Sequence, residues 1–133
     1  MGILIDADIL INWERGVLDV ESHTHGRNEE FYLSVITVSE MLHGVHRTTN
    51  ERVRSRRTLF IQDMIGLFEV IPIDLAIAQT RSEITARLAE LGQSIGSDDS
   101  WIAATCLTYN HSLITGNMRE FSRIPGLRIE TWQ

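Results

Sequence analysis

Six carboxylates and one amide stand where short apolar runs give way to polar residues. Asp6 and Asp8 interrupt the aliphatic segment LIDADILI at residues 4–11, and Glu40 follows FYLSVI within TVSE. Asp98 and Asp99 open DDSWIAATCL, while Asn117 and Glu120 follow SLIT. An ionised carboxylate among apolar residues is costly unless it is paired, hydrogen-bonded or holding a cation. Several drawn together repel one another, which raises their pKa values or demands a counter-ion. Oxygen-only ligation suits magnesium or manganese, which take carboxylate, water and phosphate oxygens in octahedral geometry.

Each acid also has a plainer reading. TVSE, Thr37 to Glu40, matches a capping box, so Glu40 could simply close a helix start. Asp98 and Asp99 follow GQSIGS and could do the same, since acids are favourable at helix N-termini. Asp74 looks like a plain N-cap and is set apart from the site. His23 with His25, and His43 with His46, have spacings a metal could use, but no third nitrogen or sulfur ligand accompanies either pair, which argues against zinc. Cys106, the only cysteine, sits in IAATCL as a small hydrophobe rather than a nucleophile. No G-x-S-x-G elbow appears, and GQSIG has neither of the usual phosphate-binding glycine spacings.

The elements that must position these groups follow from periodicity. Residues 3–6 and 31–36 read as buried strands, and 67–72, 112–115 and 127–132 as shorter ones. Helix patterns cover roughly 8–15, 37–48, 51–66, 75–91 and 99–109. ESHTHGRNEE, residues 21–30, reads as a flexible loop. Alternating strands and helices predict an α/β fold: a mostly parallel central sheet of four to five strands with helices on both faces. In such a sheet chemistry gathers at the carboxyl ends of the strands. The acids named above all fall at strand exits or at the helix starts that face them.

With 133 residues, 43% of them apolar, residues 1–133 are expected to form one domain with an ordinary core. No run approaches the roughly 18 apolar residues of a membrane helix and no secretion signal opens the chain, which points to the cytoplasm and away from membranes. The net charge of -6 is unlike a free-standing nucleic-acid binder. All twelve basic residues are arginines. Five of them, Arg47, Arg52, Arg54, Arg56 and Arg57, crowd one segment that reads either as a solvated helix face or as a phosphate-binding patch.

Four blocks in chain order resemble the PIN-domain ribonucleases, in particular the VapC-type toxins of toxin-antitoxin pairs: LIDADILI, SEMLHGV, IGSDDSWIAATCL and LITGNMREFSRIPGLRIETW. The last two are the most specific. DADIL alone also resembles the opening of haloacid-dehalogenase-type phosphatases, but those use a later basic residue, usually lysine, and this chain has none. The PIN resemblance implies an acidic site at Asp6, Glu40 and Asp99, with Asn117 at a fourth position where many relatives have Asp. Asp99 is the match, not Asp98, because it lies three residues before Ile102.

The same resemblance implies hydrolysis of RNA with Mg2+ or Mn2+ held by Asp6, Asp99 and Glu40. Asp8, Asp98, Thr115 and Glu120 are expected as supporting neighbours, with Asp8 partly restoring the charge absent at Asn117. The arginines from Arg47 to Arg57 are expected to bind flanking RNA backbone. A homodimer and a VapB-type antitoxin are the implied partners. A degenerate PIN fold that binds RNA or protein without cleaving it remains the alternative, left open by Asn117.

Overall fold

The computed structural model of the chain describes residues 2–132. Its strands are β1 (Gly2–Ile5), β2 (Glu30–Ser34), β3 (Glu69–Ile71), β4 (Ser112–Ile114) and β5 (Ile129–Glu130). They form one sheet in the order β3-β2-β1-β4-β5, and every neighbouring pair is parallel. The helices are α1 (Ala7–Glu14), α2 (Val20–Thr24), α3 (Val35–Arg47), α4 (Glu51–Leu67), α5 (Leu75–Glu90), α6 (Ser97–Tyr109) and α7 (Met118–Phe121). Among the described residues, no helix is long and apolar enough to cross a membrane.

Strand alternation explains the two layers of helices. Ile3 and Ile5 of β1 pack with Leu10, Met41, Val45, Ile61 and Met64 on one face. Leu4, one residue out of phase, packs with Ile77, Leu88, Ile102 and Phe121 on the other. All four residues of β1 are buried, as a central parallel strand covered on both faces must be. Burying each such Leu or Ile contributes about 1.5–3 kcal/mol, which makes β1 a rigid base for whatever follows it.

The structure moves some expected boundaries. Residues 35 and 36 belong to α3, because Ser34 ends β2 and its hydroxyl accepts the Ile36 N–H at 3.0 Å. The capping box expected at Thr37–Glu40 is therefore absent: Ser34 is the cap, Thr37 is buried and Glu40 lies in the second turn. The stretch 21–30 is not wholly loop. Asp19 accepts the Glu21 N–H at 3.1 Å and starts the short helix α2; the chain then turns at Gly26, whose φ of 77° favours glycine. Asp74 caps α5 as expected, with Oδ1 accepting the Ile77 N–H at 2.8 Å. Successive connections diverge from β1, toward β2 on one side and β4 on the other. A crevice at such a point, beyond the strands' carboxyl ends, is the favoured binding place in open α/β sheets.

Candidate active site at the carboxyl rim

Asp6 is the first residue after β1 and the N-cap of α1. It is only 6% exposed. Its Oδ1 accepts the Ala7 N–H at 2.9 Å, and its Oδ2 accepts the Thr115 hydroxyl at 2.8 Å. Thr115, fully buried at the end of β4, accepts in turn the Asn117 N–H at 3.0 Å. The Asp6 N–H donates to the Ile114 carbonyl at 2.9 Å, so the exits of β1 and β4 are tied together. Burial pushes the Asp6 pKa up, and the neighbouring Asp8 charge adds to this; the Thr115 and Ala7 hydrogen bonds oppose it.

Glu40 and Asp99 reach the same rim from α3 and α6. Burial raises Glu40 to about 7, and the charges of Asp6, Asp98, Asp99 and Asp8 reinforce the shift. Burial likewise raises Asp99 to about 7, followed by the charge of Asp6 and contact with Glu120. The two adjacent acids of α6 thus part company: Asp99 is half-buried toward the rim, whereas Asp98 is exposed. Neither caps α6 with its side chain.

Asn117 is the N-cap residue of α7, but its side chain makes no capping bond. Its side-chain amide donates to Asp99 Oδ2 at 3.2 Å and to Glu120 Oε2 at 3.0 Å. Glu120 also accepts the Gly96 N–H through Oε1, and this bond is the main reason its pKa is lowered. Glu120 therefore clips the β4–α7 turn to the start of α6. Asp8 takes the Gly116 N–H on Oδ2 at 2.9 Å, and burial raises its pKa. The backbone donors of Ala7, Gly96 and Gly116 were not visible from residue types. Gly116 has a signal only in hindsight: a Cβ there would stand 2.7 Å from Asp8 Oδ2.

Other expected residues lie apart. Arg47, Arg52, Arg54 and Arg56 are exposed on α3 and α4. Arg57 is half-buried, 3.7 Å from Glu14 and donating to Thr48 at 3.0 Å. It lines a cleft of about 210 Å3 that also contains Arg15 and Glu40, which links the basic segment to the rim. His23 stacks on Trp132 with ring centres 5.0 Å apart. His43 and His46 are exposed on α3. Cys106 is fully buried, and burial drives its thiol pKa up, away from nucleophilic reactivity.

A family model described as the PIN domain matches residues 3–127. The chain belongs to the PIN-domain family. It is 36% identical over 131 residues to "Ribonuclease VapC1" of Rickettsia felis, covering 98% of this chain and 96% of that protein. It is 33% identical over 100 residues to "tRNA(fMet)-specific endonuclease VapC" of Salmonella typhimurium, covering 75% and 74%. A crystal structure of DNA-bound VapBC from Salmonella typhimurium matches with a TM-score of 0.90 at 26% identity, covering 100% and 99%. This full-length PIN match replaces the phosphatase reading of DADIL.

A divalent cation is the general cofactor of PIN-domain ribonucleases. The oxygen atoms of this PIN domain's rim fit one. Three buried side-chain oxygens among the described residues have no hydrogen-bond partner: Asp8 Oδ1, Glu40 Oε1 and, one turn before Glu40, Thr37 Oγ1. An unsatisfied buried acceptor costs roughly 1–3 kcal/mol, more when charged, and a cation removes that cost at both carboxylates. No three acidic, histidine or cysteine side chains among the described residues already close on one point as a ligand cage, so binding requires the acids to draw inward.

Proposed function

We propose that this PIN domain is a metal-dependent endoribonuclease that hydrolyses RNA phosphodiesters, acting as the toxin of a VapBC-type toxin-antitoxin pair. The observation that carries the reading is the buried, doubly hydrogen-bonded Asp6 facing Glu40 and Asp99 at the switch point of a chain whose near-full-length relative is a ribonuclease. Asp6, Glu40 and Asp99 are the residues that would hold the ion, Mg2+ or Mn2+ by their all-oxygen character. When bound, the ion lowers the pKa of water and offsets charge developing on the phosphate.

The chain's own residues divide the remaining work. Ala7 N–H and Thr115 hydroxyl fix both Asp6 oxygens, so this carboxylate is the anchored member of the set, toward which the other acids would draw. Glu40, with its free Oε1, would hold the ion or orient the water bound to it. Asn117 holds Asp99 by a neutral amide, where a second acid would repel it. Exposed Arg47, Arg52, Arg54 and Arg56 supply the phosphate contacts that an overall charge of -6 withholds, with Arg57 at the inner end of the patch.

The proposed partners are an RNA substrate, a VapB-type antitoxin and a second copy of this chain, and the proposed location is the cytoplasm. Because the Salmonella relative is named for tRNA(fMet), that RNA is the first to test, beside ribosomal RNA. Antitoxin-free protein is incubated with end-labelled RNA in Mg2+ or Mn2+. Water attack predicts cleavage that stops in EDTA and leaves 5′-phosphate and 3′-hydroxyl ends. A 2′,3′-cyclic phosphate would mean attack by the ribose hydroxyl and refute the mechanism, whereas metal binding and RNA binding without cleavage of any RNA would favour the degenerate binding module.

A further inference from the structure

Asn117 offers the rim a neutral amide, and its nitrogen is committed as a donor to Asp99 and Glu120. The structure assigns the missing role to Asp8: we propose that Asp8 supplies to the cation pocket the carboxylate that position 117 does not. The proposal rests on the metal-dependent reading above.

Two features separate Asp8 from an ordinary first-turn acid. An acid at a helix N-terminus gains from the local backbone dipole whether or not it touches anything else. Asp8 instead reaches across to β4's exit, where the Gly116 N–H holds its Oδ2 at 2.9 Å. The backbone at 116 approaches so closely that a Cβ would sit 2.7 Å from that oxygen. Its second oxygen, Oδ1, is buried with no hydrogen-bond partner. A carboxylate anchored by one oxygen and bare at the other has the form of a monodentate ligand awaiting a cation.

Position within the rim agrees. The charge of Asp8 is felt at both Asp6 and Glu40. Asp8 and Asn117 are held by adjacent residues of one turn, through the N–H of Gly116 and the side chain of Asn117 itself. Asp8 thus brings a carboxylate from the first turn of α1 up to the turn that carries Asn117, while Asp99 stays paired with a neutral amide.

The test titrates the full chain, freed of antitoxin and RNA, with Mn2+ alone and follows the unbound ion by electron paramagnetic resonance. Asp8→Asn keeps the shape and an acceptor for Gly116, and Gly116→Ala displaces Asp8 without changing charge. Each is expected to weaken Mn2+ binding about tenfold or more, and Asp8→Asn combined with Asn117→Asp is expected to restore affinity to within about threefold of the parent. Melting followed by circular dichroism, expected within a few degrees of the parent for Asp8→Asn, confirms that the fold is retained. Parent-like Mn2+ affinity in Asp8→Asn, alongside loss of binding in Asp6→Asn, overturns the role of Asp8 while leaving the nuclease reading intact. A double variant as weak as Asp8→Asn overturns the exchange of positions. Absence of Mn2+ binding in the parent overturns both proposals together.

Discussion

Thr115→Val replaces a hydroxyl by a methyl of the same shape at a buried site where two exits of the sheet share a side-chain hydrogen bond. The parent hydroxyl donates to Asp6 Oδ2 at 2.8 Å and accepts from the Asn117 N–H at 3.0 Å. The bond to the carboxylate is worth about 1.5–3 kcal/mol, and the amide left without an acceptor costs roughly another 1 kcal/mol because it is only partly buried. A total near 2.5–4 kcal/mol lowers the melting temperature by about 8–15 °C for a domain of this size. Thr115 also holds down the Asp6 pKa. Without it Asp6 loses a bond that favours its charged form and fixes its orientation, so cation affinity falls about tenfold. Paired melts and Mn2+ titrations read both effects, with Thr115→Ser expected to restore them. Parent-like melting together with parent-like affinity in Thr115→Val would refute the claim that this hydroxyl organises Asp6.

Two further outcomes follow from the same geometry. Glu40 and Asp99 are both raised to about 7, so between their unfolded values near 4 and that pH the folded state holds more protons, and metal-free stability declines as pH rises. Melts in EDTA should fall by several degrees from pH 5 to pH 8; the lowered pKa of His111 opposes the trend, so the decisive comparison is a smaller decline in Glu40→Gln, and an unchanged decline there would contradict the assignment. Replacing Arg47, Arg52, Arg54 and Arg56 together by Gln should leave folding and Mn2+ affinity unaltered while weakening RNA binding and reducing its salt dependence by up to about three in slope; an unchanged slope removes these residues from the RNA path.

The order of elements was legible because each strand is short, aliphatic and followed by a helix-period run, a pattern that admits few topologies once crossovers are right-handed. Boundaries were less so where one residue type serves two roles. Val35 and Ile36 extended the second strand on β-branched content alone, yet Ser34 caps the helix just before them, and a local side-chain bond outweighed propensity. The same shift dissolved the capping-box reading of Glu40 and left its Oε1 bare at the rim. Thr115 and Glu120 were named as neighbours, but their work is to bond the Asp6 carboxylate and the Gly96 N–H directly, 109 and 24 residues away, contacts that exist only after folding. Asp98 and Asp99 are chemically identical in sequence; motif spacing chose Asp99, and burial on α6 supplies the physical ground.

The proposed nuclease hydrolyses RNA with the help of a cation held on the carboxylates that surround Asp6. Its most direct test is the single-turnover cleavage rate of end-labelled tRNA(fMet), or of whichever RNA the parent cleaves, in saturating Mn2+ by the parent and by Asp6→Asn. This isosteric change keeps an oxygen for the Ala7 N–H and removes the charge. A rate at least about a hundredfold lower is expected in a variant whose circular dichroism shows that the fold is retained; cleavage by Asp6→Asn at the parent's rate would contradict this mechanism.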